Sequence, residues 1–151
     1  MRIIALQGDD KTGKTATLRR VAKKLKDLFG CPDFSNPHFY NHIKKDKGDV
    51  WAVFILKESG KTIAITSHGD YPKILYDDLA TIRKEYSGEI DIFICAKHDT
   101  PAMDKAVSNL SGGDYEIIKK SEIKVSGKSE TDDNEQCAEY IFNVIKSTLD
   151  I

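Results

Sequence analysis

Arginine, cysteine, proline and tryptophan are all scarce in this sequence. Of 151 residues four are arginines (Arg2, Arg19, Arg20 and Arg83), three are cysteines, four are prolines and one is tryptophan. The cysteines, Cys31, Cys95 and Cys137, are odd in number and form no C-x-x-C pair. That excludes a disulfide framework or a thiolate zinc site and points to a reducing compartment. A mixed Cys31, His38 and His42 metal site is disfavoured, because Pro32 and Pro37 interrupt any helical period there. An excess of one charge is missing too: 23 basic against 24 acidic residues leave a net charge of −1. No global field therefore draws the chain to nucleic acid or to a membrane surface. The basic stretches Lys23, Lys24 and Lys26, and Lys44, Lys45 and Lys47, are balanced by acids elsewhere, so a nucleic-acid partner is not indicated. No run approaches the roughly 20 apolar residues of a membrane span, and Met1 to Leu6 is too short for a secretory signal. These absences lead to the expectation of a cytoplasmic protein with no membrane partner.

What is present is an ordinary globular composition, 40% hydrophobic and 31% charged, in a length that suits one domain over residues 1–151. Arg2 to Gln7 is a short apolar run ending at a glycine, which predicts a buried strand. From Lys14 the period changes. Leu18, Val21, Ala22, Leu25, Leu28 and Phe29 recur at helical spacing, Arg19, Arg20, Lys23, Lys24 and Lys26 take the other face, and Gly30 is a stop signal. Residues 31–49 show no sustained period and predict a long loop. Val50 to Leu56 and Lys61 to Thr66 predict two strands. The four residues between them force an antiparallel pair, because a parallel crossover needs far more chain. Pro72 opens a helix carrying Leu75, Leu79, Ile82 and Tyr86, and Ile90 to Ala96 predicts the next strand. Thr100-Pro101 opens a helix with Met103, Ala106, Val107 and Leu110, stopped by Gly112-Gly113. Tyr115 to Ile123 predicts a less apolar strand toward a sheet edge. Asp132 and Glu135 predict a capping box before a last helix faced by Cys137, Ile141, Val144 and Thr148. The alternation argues an α/β fold.

The segment Gly8-Asp9-Asp10-Lys11-Thr12-Gly13-Lys14-Thr15 matches G-x-x-x-x-G-K-[ST] at every fixed position. The chemistry explains each residue type. Gly8 and Gly13 permit backbone conformations and close approaches that a Cβ would block. The backbone N–H groups from Asp10, Lys11 and Thr12 through Gly13, Lys14, Thr15 and Ala16 then wrap a phosphate, aided by the positive end of the helix that follows. Lys14 places its ammonium on the β- and γ-phosphates, and the Thr15 hydroxyl goes to Mg²⁺. A chance match in a chain of this length is on the order of 1% or less, and the strand before and helix after are both predicted. The chain here resembles the P-loop NTPase superfamily, as a small single-domain member of kinase-like or unassigned role. The resemblance implies a three-layer sheet of about five strands, mostly parallel with one antiparallel hairpin and helices on both faces. It also implies ATP, with GTP as an alternative, and Mg²⁺ as ligands. Asp9 and Asp10 are unusual so close to phosphate charge.

The resemblance further implies an acid at the end of another strand, acting on Mg²⁺ directly or through water. Asp70, after Ser67-His68-Gly69, has the preferred placement; Asp99, after Lys97-His98, is the other choice. Against a metal role for Asp70 stands a plain helix-dipole charge beside Pro72. Lys14 and Asp70 are thus the expected catalytic residues, with Thr15 and Asp70 on the metal. Ala96-Lys97-His98-Asp99 is one residue from the guanine-reading N-K-x-D, but its asparagine is missing and Lys73 stands where a GTPase switch needs glycine. A kinase lid would need arginines beyond the first helix, and only Arg83 lies there; Lys97 or Lys105 could substitute. Phe34, Phe39 and Tyr40 could stack on a base, though packing the loop down is the simpler role. Ser126-Gly127-Lys128-Ser129 is not a second cradle, since position 122 is glutamate. The expected function is an ATP-binding NTPase or phosphotransferase acting on an unidentified acceptor. The alternative is a non-catalytic nucleotide sensor read by a protein partner.

Overall fold

The computed structural model describes residues 1–9, 12–123 and 129–151. Its sheet has six strands: β1 (Arg2–Gln7), β2 (Phe34–Ser35), β3 (Trp51–Ile55), β4 (Thr62–Thr66), β5 (Ile92–Lys97) and β6 (Tyr115–Lys119). The helices are α1 (Lys14–Phe29), α2 (Phe39–Lys45), α3 (Pro72–Glu85), α4 (Pro101–Ser111), α5 (Lys120–Ile123) and α6 (Glu130–Leu149). The order across the sheet is β2-β3-β4-β5-β1-β6. β4, β5, β1 and β6 run parallel, whereas β3 is antiparallel to both β4 and β2.

The apolar run of β1 is buried because β1 lies inside the sheet with a core on each side. Ile4 and Leu6 join one core with Leu18, Val21, Ala22 and Leu25 of α1, Phe39 of α2, and Cys137, Ala138, Ile141 and Ile145 of α6. Ile3 and Ala5 join the other with Leu75, Leu79 and Ile82 of α3 and Met103, Ala106 and Val107 of α4. The strand period of two sends alternate residues to opposite cores. Burying each large side chain contributes about 1.5–3 kcal/mol, so these stripes fix which face each helix covers. β1 and β5 are also the adjacent strands whose following helices leave toward opposite cores. Parallel sheets bind ligands beyond the strand ends at such a point.

Several expectations need correction. The 31–49 stretch is not a loop: it holds β2 and the seven-residue α2, and Phe39 is buried at 1% exposure. Two residues of strand and two turns of helix are too short to show a period, and β2 raises the strand count from five to six. The Tyr115–Ile123 strand ends at Lys119, where α5 begins; β6 is an edge strand as expected. The last helix is capped three residues before Asp132, by the Ser129 hydroxyl, which accepts from Asp132 N–H at 3.2 Å. Its apolar face runs through Ala138 and Ile145 rather than Thr148, which is exposed. Arg19 is not on a solvated face but buried. Of the 126–129 segment, only Ser129 is among the described residues.

Candidate functional site

β1 delivers Gln7 and Gly8 to the carboxyl edge of the sheet, where Gly8 N–H donates to the Lys97 carbonyl of β5 at 3.3 Å. The chain then turns into α1. Thr12 Oγ1 donates to the Asp9 carbonyl at 2.7 Å, which draws the loop closed. Gly13 takes a left-handed conformation, φ +81° and ψ 22°, directly before the helix. It needs to be glycine for a second reason: a Cβ there would lie 2.5 Å from Oδ1 of Asn134 on α6. Thr17 Oγ1 donates to the Gly13 carbonyl at 2.8 Å and lies 3.2 Å from the same Asn134 oxygen, so α6 buttresses the turn. Lys14 folds back over the loop, its Nζ donating to the carbonyls of Gly8 at 2.6 Å and Asp9 at 2.8 Å, with only 9% of the residue exposed. Asp10 and Lys11, two of the expected phosphate-wrapping residues, lie outside the described residues.

Two clefts open beside this loop. One, of about 490 Å³, is lined by Thr12, Gly13, Lys14, Thr15 and Ala16 with Arg19, Ser67, Asp70 and Glu130. The other, of about 500 Å³, is lined by Gln7, Gly8, Asp9 and Thr12 with Asp99, Lys119, Lys120, Ser121, Glu130 and Asp133. The two candidate second acids thus part company: Asp70 shares a cleft with Thr15, and Asp99 lines the other, the two clefts having Thr12 and Glu130 in common. Asp70 is 65% exposed at its side chain and accepts from His98 Nε2 at 2.9 Å. Among the described residues no group of three or more acidic, histidine or cysteine side chains could hold a metal by itself.

A polar network at the end of β4 has no counterpart in the sequence reading. His68 Nδ1 contacts Asp78 Oδ2 of α3 at 2.7 Å and its Nε2 lies 3.4 Å from Asp49 Oδ2. The carboxylates of Asp49 and Asp78 raise the His68 pKa from 6.5 to about 10, and the same pairing holds the Asp49 carboxyl below its usual 3.8. Ser67 Oγ donates to Asp49 Oδ1 at 2.8 Å and accepts from Val50 N–H at 2.9 Å. Thr66 Oγ1 donates to Asp78 Oδ2 at 2.7 Å. Ser67 therefore serves Asp49 and not His68, so this is no nucleophile–base pair. Gly69 lies so close to β5 that a Cβ would come within 1.7 Å of the Ala96 carbonyl oxygen. No local spacing announces this network, which joins residues 49, 66–68 and 78.

The basic side chains considered for phosphate are mostly engaged elsewhere. Lys97 is fully buried: its Nζ donates to Gln7 Oε1 at 2.5 Å and pairs with Asp104 Oδ1 at 2.8 Å. Lys105 is exposed on α4. Arg19 donates to the carbonyls of Gly48 at 2.8 Å and Asp46 at 2.7 Å, tying α1 to the segment after α2. Arg20 is shared between Asp46 and Glu135. Of the three aromatics, Phe39 packs on Phe54, Phe34 lies near Tyr86, and exposed Tyr40 sits beneath Lys26 Nζ at 5.7 Å. No family model matches this chain, and no curated protein or solved structure matches it either.

Proposed function

We propose that this chain binds Mg²⁺–nucleotide in the Gly8–Thr15 loop, as an ATP-binding NTPase or a kinase-like phosphotransferase. One observation carries the reading. A G-x-x-x-x-G-K-T loop leaves the carboxyl end of an interior parallel strand, turns through a left-handed Gly13, and runs into the first turn of a 16-residue helix with Lys14 folded over it. Such a turn presents backbone N–H groups and a helix N-terminus to an anion. The carbonyls of Gly8 and Asp9 hold Lys14 near where its charge is needed. A phosphate oxygen, being anionic, is a stronger acceptor than either carbonyl and would draw the ammonium to itself. The same reading takes the fold as a three-layer P-loop NTPase-like sheet, supported by the parallel β4, β5, β1 and β6, the β3–β4 hairpin and the two helix-covered cores.

A metal suits the residues present. Thr15 and Asp70 border one cleft, and hydroxyl and carboxylate oxygens are the donors Mg²⁺ takes when phosphates and water complete its shell. When bound, Mg²⁺ would neutralise phosphate charge that Asp9, Asp70, Asp99, Glu130 and Asp133 otherwise oppose. Thr15 would give it a hydroxyl, and Asp70 would hold it directly or through water. The sensor alternative draws on a different observation. Arg19 borders the cleft beside the loop but, like Arg20, is committed to neighbours, and Arg83 is exposed on α3. Calorimetric titration with MgATP and MgGTP, alongside phosphate release with and without candidate acceptors, tests the proposal. Binding abolished by Lys14→Ala in folded protein supports it. Tight binding without turnover favours the sensor. Folded wild-type protein that takes up neither nucleotide at millimolar concentration refutes both.

A further inference from the structure

Gln7 is the last residue of β1 and stands level with Lys97 of β5 and Lys119 of β6. Residues level with one another in parallel strands share a face, here the face covered by α4, whose Asp104 meets Lys97. Lys97 has no exposed surface, and its nearest contact is Gln7 Oε1 at 2.5 Å. An ammonium has only protons to offer, so the carboxamide must turn its oxygen toward Lys97. That settles which end of the amide is left over. Gln7 Nε2 has no other partner among the described residues, and Gln7 lines the cleft beside Gly8, with Asp99, Lys119 and Ser121. A buried lysine thus fixes a donor on the rim of the loop, where an unrestrained glutamine would offer either a donor or an acceptor.

Building on the nucleotide reading above, we propose that Gln7 is a binding residue whose lysine-oriented carboxamide donates to an acceptor on the nucleoside half of the ligand. The assignment to the nucleoside follows from the two clefts. Thr15 and Asp70 border the other cleft, where they would hold a metal that neutralises phosphate charge. A nucleoside extending from the loop into the neighbouring cleft would meet Gln7. That cleft offers donors from Lys119, Lys120 and Gln7 and acceptors from Asp99, a mixture suited to base and sugar edges.

Two substitutions test this. Gln7→Glu keeps an oxygen toward Lys97 but removes the donor, and Gln7→Met removes both ends without adding charge. Titrations would use MgATP, MgGTP and magnesium tripolyphosphate, with urea unfolding run on each variant. The expected result is that Gln7→Glu unfolds at no lower urea than wild type. Both variants lose about tenfold in nucleotide affinity, the value of one hydrogen bond, and Gln7→Met keeps its tripolyphosphate affinity. Unchanged nucleotide affinity in both folded variants overturns the role of Gln7. An equal loss for tripolyphosphate in Gln7→Met overturns its assignment to the nucleoside. Folded wild type that binds neither nucleotide brings down the nucleotide reading itself, an outcome distinct from the other two.

Discussion

Replacing His68 by glutamine removes a positive charge held between two carboxylates while leaving an amide able to donate to one of them. At about 1.4 kcal/mol per pH unit, the rise of the His68 pKa from 6.5 to about 10 would correspond to roughly 5 kcal/mol if the site were dry. It is not dry: the His68 side chain is 35% exposed and Asp49 51% exposed. Solvent screening reduces the expected loss to about 1–2 kcal/mol, or a fall in melting temperature of roughly 3–8 °C for a chain of this size. The pH dependence is the sharper readout. A pKa raised on folding stabilises fully below the unfolded value of 6.5 and loses that contribution as pH climbs through about 10. Asp49, whose carboxyl is lowered chiefly by the His68 hydrogen bond, contributes stability above 3.8 that is lost as pH falls through its folded value. The stability difference between wild type and His68→Gln, from urea unfolding, should therefore be flat from about pH 5 to 6.5 and shrink toward pH 10. A difference that stays constant or grows over the alkaline range would show that the clamp is not electrostatic.

Other substitutions probe the remaining supports. Gly69→Ala places a methyl 1.7 Å from the Ala96 carbonyl oxygen, which the backbone cannot yield cheaply; a loss of about 3 kcal/mol or more is expected in urea unfolding. Ser129→Ala removes the cap on α6 and should cost about 1 kcal/mol by the same measurement, without altering nucleotide binding. Asp70→Asn should weaken nucleotide affinity in Mg²⁺ but not in EDTA, read by titration under both conditions; equal affinities in both would remove Asp70 from the metal.

The parts legible in the sequence are those where local chemistry leaves few choices. Gly13 takes the left-handed turn before α1, and at Gly8 a Cβ would meet Thr12, so both glycines stand where the backbone requires them. The β3–β4 hairpin follows from a connection too short for a crossover. Arg19 was illegible because a helical period sorts residues by type, and type says exposed. Its burial depends on carbonyls of Asp46 and Gly48, about 27 residues away, that no spacing announces. Lys97 misleads in the same way: read as a loop residue after a strand ending at Ala96, it looks ready for phosphate, yet it is the last residue of β5 and meets Gln7 and Asp104. The His68 network joins a segment after α2, the end of β4 and the middle of α3, so only the tertiary fold assembles it.

The near-contact between Gly69 and Ala96 has a mechanical consequence. The turn after β4 carries Ser67 and Asp70 to one cleft beside the loop, and the turn after β5 carries Asp99 to the other. Backbone lies close on backbone at Gly69 and Asp70 accepts from His98, so the two turns touch at two points. A ligand that draws Asp70 toward Thr15 would either break the bond to His98 or carry His98 with it. Under the nucleotide reading, metal and nucleoside would then bind as linked events, each altering the other's affinity by the same factor.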